Sequence, residues 1–160
     1  MEIIYKTGNL LDAQTDVIAH QVNCQGVMGS GIAKQIKEKW PIVFKSYKEF
    51  FKNVKDSHVL LGEAQLIELD EKYIVNLFAQ FNYGTFPMKY TNYEALYNSL
   101  INLRILIQCH NCKSIAFPYK MSSDRGGADW NVVLAMIESV FKDTDVTIEI
   151  WSLNEYAGCN

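Results

Sequence analysis

Apolar and polar positions change rhythm repeatedly along the chain. Residues 2–6 form a short β-branched and aromatic run, and Val17, Ile18, Ala19 and Val22 mark a second over 16–22. Both read as strands. The stretches 63–69 and 73–78 flank Asp70, Glu71 and Lys72, three polar residues that suit a tight hairpin turn. Residues 114–117 and 146–151 are almost continuously apolar, the pattern of strands covered on both faces. Helical spacing alternates with these runs. Leu96, Leu100, Leu103 and Ile107 recur at three- and four-residue steps and predict a helix over 91–109. Val133, Met136, Ile137, Val140 and Phe141 predict another over 129–141. Further helices are predicted at 30–39, after a glycine-rich turn, and at 43–52, just after Pro41. Thr91 with Glu94 reads as a capping box, and Asp129 as an N-cap.

Strands interleaved with helices predict an α/β domain of three layers, with a central mixed, largely parallel sheet between helices. No repeat, low-complexity segment or linker divides the 160 residues, so one domain over 1–160 is expected. The chain holds 3 Trp, 9 Tyr and 8 Phe, enough aromatic area to exclude a disordered composition. Its 15 basic and 18 acidic residues leave a net charge of −3. That balance gives no support to a general nucleic-acid or membrane-surface binder. No run approaches the roughly 18 apolar residues of a membrane span. The first residues read as a strand and not as a leader, so a cytoplasmic monomer with no membrane partner is expected. Cysteines 24, 109, 112 and 159 are irregularly spaced and are expected to be free thiols.

Two glycine-bearing segments stand where strands hand over to helices, which is where open α/β sheets bind ligands. The first runs from Asn23 through Gly26, Val27, Met28, Gly29, Ser30, Gly31 and Ile32 to Ala33. Glycines allow close backbone approach, and the following helix offers unpaired amides and a positive dipole end. The segment suits a diphosphate; it also suits an ordinary strand-to-helix turn. It is neither a dinucleotide fingerprint nor a P-loop, and Ser30 lacks the glycines of a nucleophile elbow. The second segment carries Ser122, Ser123, Asp124, Arg125, Gly126 and Gly127 ahead of Asp129. Its hydroxyls and guanidinium suit phosphate or ribose oxygens, or simply solvent.

The run from Val17 to Ala33, with His20, Asn23 and the Gly26–Val27–Met28–Gly29–Ser30–Gly31 stretch inside it, resembles the ribose and phosphate loop of macrodomains. It is most similar to the branch holding ADP-ribose 1''-phosphate phosphatases, terminal ADP-ribose protein glycohydrolases and phage relatives. Gly8-Asn9-Leu10-Leu11 stands at that family's adenine motif, residues 118–130 at its second phosphate loop and 148–153 at its last strand. The resemblance implies a macrodomain that binds ADP-ribose or a derivative, free or on a modified macromolecule, with no cofactor. It implies Asn9 and Leu10 beside the adenine, with Leu153 or Tyr156 on its face. Asn23 would hold the distal ribose. Backbone amides of 26–32 and 123–127 would cradle the diphosphate.

Two residues are candidates for chemistry. The resemblance points His20 into the pocket, and an imidazole can move protons near neutral pH. A core histidine bonded at a strand end is the competing reading. Asp124 is the candidate base or water-orienting group, against a solvent-exposed loop aspartate. The chain also departs from its look-alikes. Where the glycohydrolases carry a catalytic aspartate it has Gly126, and their lysine falls near Gln80 or Phe81. Lys89 and Lys120 are the lysines that stand in these regions, and Gln80 and Asn82 are polar groups able to orient a hydroxyl or water. Cys109-His110-Asn111-Cys112 ends a predicted helix, where the dipole disfavours a thiolate, and no metal is expected there. Two functions follow: hydrolysis of an ADP-ribose derivative, by removal of a 1''-phosphate or of a linked ADP-ribosyl group, or recognition of ADP-ribose without turnover.

Overall fold

A computed structural model describes residues 1–154. Six strands form one sheet: β1 (Glu2–Thr7), β2 (Val17–Val22), β3 (Ala64–Glu68), β4 (Tyr73–Phe78), β5 (Ser114–Pro118) and β6 (Thr147–Ser152). Their order is β1-β6-β5-β2-β4-β3. Every pair is parallel except β3 with β4, the hairpin turned at residues 69–72. Four helices cover the sheet: α1 (Gly31–Lys39), α2 (Pro41–Glu49), α3 (Tyr93–Cys109) and α4 (Trp130–Phe141). The expected three-layer α/β architecture is therefore present.

Alternation along the strands sorts the core into two halves. Val17 and Ala19 of β2, with Val75 and Leu77 of β4, pack under Leu96, Leu100, Leu103, Val133 and Ile137 of α3 and α4. Ile18, Val22, Ile74 and Phe78 face the other way, against Ile36, Val43 and Tyr47 of α1 and α2. Each fully buried side chain of this size contributes about 2 kcal/mol of transfer free energy.

Helix starts differ in detail from the expectation. α2 begins at Pro41 and ends at Glu49, and α3 is capped by Asn92, whose side chain accepts from Ala95 N. The Thr91–Glu94 capping box does not form, because the Thr91 hydroxyl is committed elsewhere, donating to Ser122 O at 2.9 Å. Asp129 does cap α4, accepting from Asn131 N at 2.9 Å. Two 3-10 turns, Leu10–Asp12 and Ser57–Leu60, had no signal in the periodicity. Among the described residues no helix is long and apolar enough to cross a membrane.

Topology opens a crevice at the carboxyl ends of the two central strands, β2 and β5. β2 pairs with β4 over six residues, up to Val22 with Phe78. Its pairing with β5 stops after Ile18 with Ala116. Beyond that point β2 and β5 part, and the chain leaves them for opposite faces, toward α1 and toward α4. Neighbouring parallel strands whose connections diverge in this way define the ligand crevice of open α/β sheets.

Candidate functional site

The 23–31 loop leaves β2 and is held by Asn23 within it, by Tyr47 of α2, and by Phe81 O, which accepts from Cys24 N and Gln25 Nε2 at 3.0 Å each. Asn23 is buried; its Oδ1 accepts from Gln25 N at 2.9 Å and its Nδ2 donates to Val27 O at 2.9 Å. The Tyr47 hydroxyl, reaching up from α2, accepts from Gly26 N at 3.1 Å and lies 2.8 Å from both Asn23 O and Asn23 Oδ1. Burial pushes the Tyr47 phenol upward in pKa, so it stays protonated and can donate to the asparagine. Asn23 therefore shapes the loop. Met28 and Cys24 are buried beneath, and burial raises the Cys24 thiol to about 12. Above them the backbone is open. Ser30 precedes α1 without a side-chain cap bond. Among the described residues, the amides of Met28, Gly29, Ser30, Gly31 and Ile32 have no protein acceptor. This is a row of orphan donors at a positive dipole end.

The 119–129 loop leaves β5 and is held from elsewhere. Gln21, at the end of β2, donates through Nε2 to Gln80 Oε1 at 2.7 Å and to Thr91 Oγ1 at 2.9 Å, while its Oε1 accepts from the Ser122 hydroxyl. Gly126 O accepts from Tyr90 N at 2.8 Å and Thr91 N at 2.9 Å. A Cβ on Gly126 would lie 2.2 Å from Thr91 Oγ1 and 2.3 Å from Ser122 O, so no side chain fits there. Lys120 and Ser122 both adopt left-handed backbone, φ 58° and 70°. Such conformations persist only where the surroundings over-determine them. The two loops meet at Gly31 (φ 60°), where a Cβ would come within 3.2 Å of Arg125 Nε. Arg125 thus lies across the first residue of α1, and among the described residues it has no carboxylate within 4.0 Å.

A hollow of about 570 Å³ adjoins this meeting point, lined by residues 84–89 with Asp124, Arg125 and Gly127. Asp124 is exposed on its wall. A larger hollow, about 820 Å³, lies on Lys39, Trp40 and Lys72, away from the crevice.

His20 is inside the molecule, 1% exposed, on the face that carries Ile18 and Val22. Its ring stands 2.6 Å from Asn76 Oδ1, at the matching register position of β4. Asn76 Nδ2 donates to Gln65 Oε1 at 3.1 Å, and Gln65 Nε2 donates to Ser46 O at 2.8 Å. This chain of amides turns Asn76 Oδ1 toward the histidine, so Nε2 carries the proton and Nδ1 is a bare acceptor. His20 Nδ1 is buried without a partner. Desolvation lowers the His20 pKa to about 4, against the opposing effect of the Asn76 bond. A neutral imidazole enclosed in this way fits the competing reading of His20, a core histidine bonded at a strand end.

The remaining expected residues divide. Asn9 is exposed and caps the Leu10–Asp12 turn through Leu11 N, whereas the Leu10 side chain is core. Leu153 is 69% exposed after β6. Gln80 is spent on Gln21 and on Asn82 O. Ser123 is partly exposed and Gly127 exposed beside the hollow. Tyr156 and Cys159 lie outside the described residues. Cys24, Cys109 and Cys112 are free thiols, and the His110 ring packs 5.1 Å from Tyr73. The roles of Gln21 and Thr91 in the polar cluster escaped the sequence reading; a polar residue closing an apolar strand was the available signal for Gln21.

The chain is similar to proteins of known family. A Macro domain model matches residues 19–137. A DNA ADP-ribosyl glycohydrolase from Mycobacterium tuberculosis is 33% identical over 91% of the chain, which spans 41% of that relative's length. Human ADP-ribose glycohydrolase OARD1 is 29% identical, with 94% of this chain and 91% of the human protein covered. The solved macrodomain of Mycobacterium tuberculosis DarG superposes with a TM-score of 0.80 at 30% identity, covering 93% of this chain and 96% of that one. The chain belongs to the macrodomain family.

Proposed function

We propose that this macrodomain binds ADP-ribose across the 23–31 and 119–129 loops and hydrolytically releases it from a modified acceptor. The observation that carries the binding is the row of unpaired amides from Met28 to Ile32 with Arg125 laid across Gly31. Backbone donors and a guanidinium at a helix N-terminus are matched to a diphosphate. The relatives' names, DNA ADP-ribosyl glycohydrolase and ADP-ribose glycohydrolase, support glycoside cleavage over phosphate removal. As the acceptor we take ADP-ribosylated DNA, which the name of the 33% relative specifies.

In this reading the loops fix the diphosphate and leave the distal ribose beside the hollow. Water attacks the anomeric carbon, the bond to the acceptor breaks with its electrons going to the acceptor atom, and the water's proton passes to the Asp124 carboxylate. Asp124 is the exposed acid on the hollow's wall. His20 supports the site as a fixed, neutral hydrogen-bonding group.

One observation favours a second reading, recognition without turnover. Where the glycohydrolases carry a lysine and an aspartate, this chain has the neutral Gln21–Gln80–Thr91–Ser122 cluster with no room for a side chain at 126. Release of free ADP-ribose from an ADP-ribosylated oligonucleotide, measured for wild type and Asp124→Ala, separates the two. The proposal expects turnover in the wild type, a loss of at least about 100-fold in the variant, and unchanged ADP-ribose affinity. Binding without turnover in the wild type establishes the second reading.

A further inference from the structure

Beside the cleft, the turn formed by residues 83–89 shows apolar side chains to solvent on a fixed backbone. Phe86 is 76% exposed, Met88 55% and Tyr83 51%. Exposed apolar residues scattered singly need no explanation, but three within six positions at the rim of a ligand cleft do. The backbone beneath them is braced. Met88 N donates to Phe86 O at 2.8 Å around Pro87, and Phe86 N donates to the Tyr90 hydroxyl at 3.3 Å. Gly84 and Gly127 have no room for a Cβ, which would lie 2.4 Å from the Tyr90 hydroxyl and 2.5 Å from Met88 O. Lys89 follows, its Nζ 4.1 Å from the Tyr93 ring centroid and, among the described residues, without a carboxylate within 4.0 Å.

We propose that this turn receives the strand to which the ADP-ribose is attached: one base of single-stranded DNA stacks on Phe86 and Met88, and the adjoining phosphate meets Lys89. The proposal rests on the DNA reading above and assigns its contact surface. An exposed aromatic ring, a thioether two residues on and an ammonium with no carboxylate partner among the described residues are the elements of a base-stacking platform. A rigid turn displays them without an ordering cost on binding. The net charge of −3 confines the contact to about one base and one phosphate, since no basic stripe extends it.

The test uses the full chain and a labelled oligothymidylate, read by fluorescence anisotropy, with ADP-ribose affinity measured separately by calorimetry. Wild type binds the strand saturably, and Phe86→Ala weakens it roughly 5- to 100-fold, the range expected for one lost stack. Lys89→Ala removes about 0.7 from the slope of log affinity against log salt. The exposed Ile105→Ala, distant on α3, binds the strand as wild type does. Phe86→Ala keeps the far-ultraviolet circular dichroism and urea midpoint of wild type, as its 76% exposure requires, which shows that it folds. The proposal is overturned if Phe86→Ala binds the strand as wild type does, if a duplex or a ribo-oligomer binds as well or better, or if wild type binds ADP-ribose but no strand. Failure to bind ADP-ribose at all would instead remove the underlying functional reading.

Discussion

The two loops at the crevice solve the same problem with opposite means. The 23–31 loop is organised mainly by its own asparagine: Asn23 bonds two and four residues ahead, Tyr47 closes it from α2, and Phe81 O accepts from Cys24 N and Gln25 Nε2. Its amides are left free. The 119–129 loop is organised by partners far away in the chain, Gln21, Gln80, Tyr90 and Thr91, and carries the left-handed residues Lys120 and Ser122. One loop is a cradle of donors that holds its own shape. The other is a strained segment held against that cradle by a neutral polar cluster. In the proposed reading binding falls chiefly to backbone amides, and Asp124, assigned to the chemistry, and Arg125, assigned to the diphosphate, ride on the segment held by the polar cluster.

The largest expected effect breaks the second loop alone. Gly126→Ala drives a methyl group into Thr91 Oγ1 and Ser122 O, with contacts of 2.2 and 2.3 Å. Urea unfolding should show about 3 kcal/mol of destabilisation, and ADP-ribose binding should weaken with it. Tyr47→Phe attacks the first loop instead. It removes the hydroxyl that serves Gly26 N and Asn23, leaving buried polar groups unsatisfied at a cost of about 2 kcal/mol.

A pH series sharpens the contrast by isolating His20, on the same core face as the first loop. Its folded pKa of about 4 lies below the unfolded value of 6.5. Between those values the unfolded chain binds the extra proton, so its contribution is fully present above pH 6.5 and is lost as pH falls toward 4. Wild type should lose about 2 kcal/mol more than His20→Gln on going from pH 7.5 to pH 5, measured by urea unfolding at each pH. Equal losses would contradict a buried neutral imidazole. The smallest effect is Asn92→Ala, about 1 kcal/mol for the α3 cap; Thr91→Ala should exceed it, because Thr91 serves the cluster and not the cap.

The sequence reading reached the strands, the long helices and the hairpin because each repeats a local period. It reached the first loop because glycines and a helix start lie next to one another. It did not reach the polar cluster: Gln21 is 59 residues from Gln80, 70 from Thr91 and 101 from Ser122, and no local pattern spans those separations. Thr91 was read as a cap because capping is a short-range rule, while its hydroxyl answers to Ser122 across the crevice. His20 was left between pocket and core for a related reason. β2 is buried on both faces, so alternation assigns His20 to the side of Ile18 and Val22 without telling core from pocket. Asn76 and Gln65, which settle it, sit on other strands.

Calorimetric titration of the wild-type chain with ADP-ribose, with ADP and NAD as controls, tests the central claim most directly. The loops as described should give one-to-one binding at micromolar affinity or tighter, with both controls weaker. A folded sample that takes up no ADP-ribose, or binds ADP equally well, would contradict a site built for the whole ligand across both loops.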